Sequence, residues 1–276
     1  VVAAALPAAA QQQIRTPRPS QKQIVTQTVG VTDITINYSR PGVKNRSIWG
    51  ALVPYDKVWR TGANEATSIQ FSDDVTINGQ PLPKGTYSLH TIPTAGDWTI
   101  IFNKVADQWG SYSYDEKSDA LRVKATPQKA EFREWLTFDF PQISADAATV
   151  AIRWENLSVP FTVGTDSVKK TIANIRNAMA SSKGDAWRLP YLAAQTAFDA
   201  GSMTAESSQW VDESIKANEN ISNLWLKARM QAKAGNVAEA RKTGAAAIAK
   251  ATADQADFAA EIKRQMAEWT GNVPVR

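Results

Sequence analysis

The chain has no cysteine and only one histidine, His90, in 276 residues. The first absence excludes disulfides, thiolate metal ligands and a cysteine nucleophile. The second excludes any zinc site that needs two imidazoles from one chain. A Ser-His-Asp triad would have to be built on His90. No Gly-x-Ser-x-Gly elbow and no glycine-rich phosphate loop occurs. No run of 18 or more apolar residues occurs, so no transmembrane segment is expected. Lysine and arginine never run longer than Lys169-Lys170. A cut at Val163 leaves 16 basic and 15 acidic residues before it and 15 and 12 after it, for a net charge of +4. Neither part is a basic patch, so nucleic acid is not an expected partner despite an isoelectric point near 9.2. Nothing in the sequence asks for a cofactor or a metal.

What is present describes a globular chain. Charged residues make up 21% and hydrophobic residues 43%, and the length suits two domains. Residues 1–10, VVAAALPAAA, are small and apolar and end in an Ala-x-Ala pattern before Gln11. They read as the tail of a secretory signal peptide, so residues 1–13 are expected to be a signal remnant or flexible leader. Export without cysteines suits a bacterial periplasmic or secreted protein.

Residues 14–163 carry strand patterns. Ile24, Val29, Val31, Ile34, Ile36 and Tyr38 alternate, with Gly30 as the break between two strands. Asn78-Gly79 between Val75–Ile77 and Leu82 is a strong hairpin signal. A four-residue loop at Thr94–Asp97 would set Leu89 opposite Phe102 and Thr91 opposite Ile100. One face of that hairpin then collects Tyr87, Leu89, Trp98, Ile100 and Phe102. The other collects Ser88, His90, Ile92, Thr99, Ile101 and Asn103, which is too apolar for a fully solvated face and must be partly covered or line a cleft. Residues 108–119, rich in aromatic and polar side chains, read as a loop over the sheet. Further strands are expected at Leu121–Thr126, Trp135–Phe140, Thr149–Trp154 and Leu157–Val163. Many short strands separated by turns predict an antiparallel β-sandwich.

Beyond Val163 the period changes. Eleven of the thirteen prolines lie before this point, and alanine dominates after it. Six helices are predicted over residues 164–276. Gly201 and Gly235 end two of them 34 residues apart, and Leu192, Tyr191 and Ala194 correspond to Leu226, Trp225 and Ala228. Ala240 and Ala247 fall where helices approach closely. The pattern looks like tetratricopeptide-type helical hairpins, either a partner-gripping array or a compact appendage. The fold class is therefore a multi-domain α and β chain, with an antiparallel β-sandwich at residues 14–163 and an all-α helical-hairpin domain at residues 164–276.

The longest informative string is Val58-Trp59-Arg60-Thr61-Gly62-Ala63-Asn64-Glu65-Ala66, preceded by Pro54-Tyr55. With Tyr38-Ser39-Arg40-Pro41, Lys84-Gly85-Thr86-Tyr87-Ser88-Leu89-His90, Ile101-Phe102-Asn103-Lys104, Trp109-Gly110 and Tyr114, it resembles a bacterial family catalogued as domain of unknown function 2911, over about Pro19 to Val163. The resemblance implies an exported β-rich domain with a helical C-terminal part, and it implies no activity.

Site candidates come from the same string. Gly62 is expected to supply a positive φ for a sharp turn. Arg60 and Glu65 lie across that turn and could clamp each other or a polar ligand. Asn64 and Asn103 offer amides, and Arg40 a second guanidinium. His90 titrates near neutral pH, with Glu65 or Asn103 as partner or as a hydrogen-bonded structural residue. Trp109, Tyr112 and Tyr114 offer a stacking platform for a sugar, or simple packing. Three functions follow. The first is a non-catalytic module that binds a small polar ligand or glycan through Arg40, Arg60, Asn64, Glu65, His90, Asn103 and Trp109. The second is a scaffold that grips a protein partner through residues 164–276. The third is a hydrolase using His90 with Glu65.

Overall fold

The structure is a computed structural model that describes residues 16–181 and 186–269. The leader expected at residues 1–13 lies outside the described residues. The chain divides between Thr165 and Asp166 into two compact units.

The first unit is built from ten strands: β1 (Gln21–Val29), β2 (Thr32–Arg40), β3 (Thr67–Phe71), β4 (Val75–Ile77), β5 (Gln80–Leu82), β6 (Gly85–Ile92), β7 (Trp98–Asn103), β8 (Asp119–Ala125), β9 (Gln128–Ile143) and β10 (Ala147–Gly164). They form a six-stranded sheet in the order β1-β2-β3-β6-β7-β8 and a four-stranded sheet in the order β5-β4-β10-β9. Every paired neighbour is antiparallel. The alternation in β2 sends Ile34, Ile36 and Tyr38 into the core. Asn78 and Gly79 both take left-handed φ, +48° and +82°, as a two-residue hairpin between β4 and β5 requires.

Both sheets face one core. Tyr38 meets Phe138 with ring centroids 4.7 Å apart, and Phe102 meets Phe161 at 5.8 Å. Each pair bridges the two sheets, and such contacts add about 0.5–1.5 kcal/mol beyond simple burial. A group of indoles closes one part of this core. Trp49 packs edge-on against Trp98 (4.9 Å) and Trp154 (5.7 Å), while Trp59 stacks on Trp154 at 6.0 Å.

The sequence reading broke the last stretch of this unit into two strands, Thr149–Trp154 and Leu157–Val163. They are one strand, β10, whose ladder with β9 carries register shifts between Thr149 and Ala151 and on either side of Glu155. Glu155 takes a φ of +53°. A bulge absorbs an extra residue without ending the pairing, so polar Glu155-Asn156 looks like a turn in sequence and is a kink in space.

The second unit holds six helices among the described residues: α1 (Ser167–Ser181), α2 (Arg188–Asp199), α3 (Ala205–Ala217), α4 (Ile221–Lys233), α5 (Val237–Ala249) and α6 (Ala256–Ala267). Gly201 and Gly235 follow α2 and α4 with φ of +67° and +85°, the left-handed stop that glycine allows. Thr204 and Asn220 open α3 and α4 with capping boxes. Ala194, Ala228, Ala240 and Ala247 are fully buried, where larger side chains would push helices apart. Trp225 and Trp269 stack at 5.4 Å within the core that α4, α5 and α6 share. No described helix is long and apolar enough to cross a membrane.

Candidate functional site

Residues 56–60 run beside β6. Trp59 exchanges both backbone hydrogen bonds with Thr91, at 2.8 and 2.9 Å. Directly paired residues share a face, so Trp59 packs toward the core with Thr91, and Arg60 follows it into the turn. The chain then folds over itself, and Thr67 N–H donates to Arg60 carbonyl at 3.1 Å.

The positive φ expected at Gly62 is instead carried by Thr61 (+54°) and Asn64 (+59°). A threonine in that region is uncommon, and its surroundings hold it there. Thr61 is fully buried, its carbonyl accepts from Thr67 Oγ1 at 2.7 Å, and its own hydroxyl reaches Thr91 Oγ1 at 3.2 Å. Glycine is needed at 62 for closeness: a Cβ there would stand 3.0 Å from Thr67 Oγ1 and 3.1 Å from Ser39 carbonyl.

A second loop, residues 104–118, docks on the first. Ala66 N–H donates to Gln108 carbonyl (2.9 Å), Gly110 N–H donates to Asn64 carbonyl (3.2 Å), and Glu65 bridges Trp109. Gly110 has a φ of +68°, and a Cβ on it would come within 2.9 Å of the Tyr112 ring. Asn64 Nδ2 donates to Ser20 carbonyl at 3.1 Å. Glu65 pairs with Arg18 at 2.6 Å, and no bond joins it to Arg60. The Arg18 hydrogen bond holds the Glu65 carboxyl below its usual value. The Arg18 guanidinium also lies 6.0 Å from the centre of the Trp109 ring. Trp109 and Tyr112 stay 60% and 83% exposed.

Beneath this loop the mixed face of the β6–β7 hairpin is closed off around His90, while Ile92 and Thr99 at its far end stay part-exposed. The predicted register holds: Leu89 pairs Phe102 and Thr91 pairs Ile100. Ser88, His90, Ile101 and Asn103 on the other face have no solvent exposure. His90 Nδ1 lies 3.2 Å from Ser111 Oγ, and Nε2 lies 3.1 Å from Ser88 Oγ. Gln108 Nε2 donates to Ser88 Oγ, Asn103 Oδ1 and Val105 carbonyl. Asn103 Nδ2 donates to Asp119 Oδ1 (2.8 Å) and Asp115 carbonyl (3.0 Å). Arg122 Nε and Tyr114 hydroxyl both donate to Asp119 Oδ2 at 2.6 Å. Burial pushes the His90 pKa down to about 4, against a weaker opposite pull from Asp119. Burial, helped by Asp119, pushes the Tyr114 phenol up to about 12. The Tyr114 ring lies 5.2 Å from the imidazole, so it packs over the network and is not a free stacking surface.

Next to the turn is a cavity of about 210 Å³, lined among others by Ser20, Arg46, Trp59, Arg60, Ala63 and Trp154. One of its lining residues, Ser20, is tied to the turn through Asn64, whose carbonyl in turn accepts from Gly110 N–H.

The residues singled out in sequence thus fall into three places. Arg60, Asn64, Glu65 and Trp109 gather around the two loops. His90 and Asn103 lie under residues 104–118 in the buried network. Arg40 stands apart, tying β2 to β9 through Leu136 carbonyl (2.8 Å) and Thr137 Oγ1 (2.7 Å). Sequence reading missed Arg18, which sits in a Gln/Pro-rich lead-in, and it missed Gln108, Ser111 and Asp119 as partners of the imidazole and the amide. No local pattern marks these residues, since their partners lie on other strands and loops.

These features define a two-sheet antiparallel β domain with two loops packed over one sheet, joined in sequence to helical hairpins. Residues 20–163 match the family described as protein of unknown function (DUF2911), and the chain belongs to that family. No curated protein and no solved structure matches it.

Proposed function

We propose that the β domain is a non-catalytic binding module for a small polar ligand such as a glycan. The observation that carries this reading is the exposed rim of Trp109 and Tyr112 beside the Arg18–Glu65 pair, with a cavity lined by Ser20, Arg60 and Ala63 at the neighbouring turn. Exposed flat aromatic faces beside convergent polar groups are what a sugar ring needs for stacking and orientation. A hydrolase using His90 with Glu65 finds less support. Both imidazole nitrogens face serine hydroxyls, and Glu65 is taken by Arg18. A thermal-shift screen of neutral and acidic sugars, short peptides and small anions tests the reading. A hit lost in Trp109→Ala supports it, and unchanged melting across the whole set removes it.

A cleft of about 390 Å³ in the helical unit favours a second reading, a protein partner held by residues 164–276. Met203, Val211 and Met230 give it an apolar floor, and Asp212, Lys227 and Gln231 line it as well. Affinity capture with the full chain and with a Met230→Asp variant tests it. Capture of the same proteins by both would remove it. On the strength of the Ala-rich leader we also place the protein outside the bacterial cytoplasm, in the periplasm or beyond the cell. Fractionation of cells expressing the native gene checks this, and recovery from the cytoplasm would overturn it.

A further inference from the structure

Arg60 is the one arginine between residues 16 and 165 whose side chain has no hydrogen bond, ion pair or aromatic contact among the described residues. Arg18 has Glu65, Arg122 has Asp119 and Glu116, and Arg133 and Arg153 share Asp139. Arg40 and Arg46 donate to carbonyls and a hydroxyl. The Nε of Arg60 is closed off from solvent and has no acceptor. Its Nη1 lies 3.5 Å from where a Cβ on Gly110 would stand, so the guanidinium sits against the rim loop. The residue as a whole is part-exposed, so the guanidinium can be reached while its Nε still lacks an acceptor that a ligand oxygen would supply. The cavity that Arg60 lines holds a second arginine, Arg46, whose bonds run to Gly42 and Val43 carbonyls and leave its charge uncancelled. Among the described residues no aspartate or glutamate lines that cavity. Part-exposed Trp59 also lines it, while Trp154 behind it is buried in the core. A pocket with two arginines and an indole on its lining suits an anion attached to a ring.

We propose that this site takes a carboxylate-bearing saccharide, with the carboxylate on Arg60 and the sugar against Trp59. A planar carboxylate matches the two-pronged guanidinium, which a neutral sugar does not use. The proposal rests on the binding reading above and narrows its ligand class.

The test is calorimetric titration of the full chain with D-glucuronate and with D-glucose, alongside acetate and inorganic phosphate, in the wild type and in Arg60→Gln. The expected result is a preference for glucuronate over glucose of about tenfold or more. Arg60→Gln should abolish that preference, and the variant should melt no lower than the wild type. Equal affinities for the two sugars, with Arg60→Gln like the wild type, would overturn the proposal and leave the binding reading standing. Acetate or phosphate binding as tightly as glucuronate would overturn the saccharide part, since a bare anion would then suffice. Binding of neither sugar would overturn both the proposal and the reading beneath it. A variant that melts well below the wild type would show that Arg60 supports the fold and would also overturn the proposal.

Discussion

His90 and Ser88 stand two residues apart on one strand, on the same face of the sheet, with Nε2 3.1 Å from the serine hydroxyl. On the other side of the ring, Nδ1 meets Ser111 from the covering loop. A neutral imidazole carries one donor and one acceptor, and a hydroxyl satisfies either. The ring is thus fully paired without charge, and protonating it would turn its acceptor into a second donor in a site closed to water.

This arrangement gives a pH dependence with a defined sign. In the unfolded chain His90 titrates near 6.5, and in the folded state near 4. Between those values the unfolded state binds more protons, so stability is full above about pH 6.5 and falls as pH drops toward 4. The loss amounts to about 3 kcal/mol at most. Urea midpoints measured from pH 7.5 to 4.5 should show this slope, and His90→Asn should flatten it. Identical slopes in both proteins would contradict the assignment.

Gly110→Ala should destabilise the β domain by about 1–3 kcal/mol, because it combines a left-handed φ with a Cβ that meets the Tyr112 ring at 2.9 Å. The same change should lower ligand affinity by displacing Tyr112. Melting temperature and titration of any thermal-shift hit check both. A melting point equal to that of the wild type would count against this loop geometry.

Glu65→Gln should barely change stability, by about 0–1 kcal/mol, because its pair with Arg18 is exposed on both sides. The carboxyl is favoured in its charged form by Arg18, so this small contribution is present above the usual glutamate pKa and fades as pH falls below it. Denaturation at 0.05 M and 0.5 M salt should show the pair weakening with salt. A loss much larger than this range would mean that Glu65 has a further partner.

Phe138→Ala should cost about 3–5 kcal/mol, because the ring is 1% exposed and packs edge-on to Tyr38 between the two sheets. Tyr38 hydroxyl also accepts from Phe138 N–H at 3.0 Å, so the backbone contact survives the truncation while the packing does not. Guanidinium denaturation followed by tryptophan fluorescence measures the change. A cost under about 1 kcal/mol would be inconsistent with a single core shared by both sheets.

The β6–β7 register was legible because the side-chain period is two and one turn length puts every large apolar residue on one side. The two-strand reading of β10 failed because a bulge and a turn draw on the same polar residues, and only the partner strand β9 distinguishes them. The turn at Thr61 shows the same limit. Glycine is the usual choice for a positive φ, yet here Gly62 serves close approach, and contacts with Thr67 and Thr91 hold a β-branched residue in the unusual region.

By itself the sequence determined the order of strands and helices, the Asn78-Gly79 hairpin, the paired helical turns at Gly201 and Gly235, and the family. The elements and turns follow from periodicity and backbone preference over a few neighbouring residues, and the family from the resemblance carried by the Val58–Ala66 string and its companion motifs. Only the tertiary structure decided that Glu65 takes Arg18 from 47 residues upstream, that residues 104–118 close over His90, and that Arg60 finds no counter-ion among the described residues. The reason is physical: charge pairing and burial depend on where distant loops are held by packing, and a short stretch of sequence does not encode the path of a loop it meets only after folding.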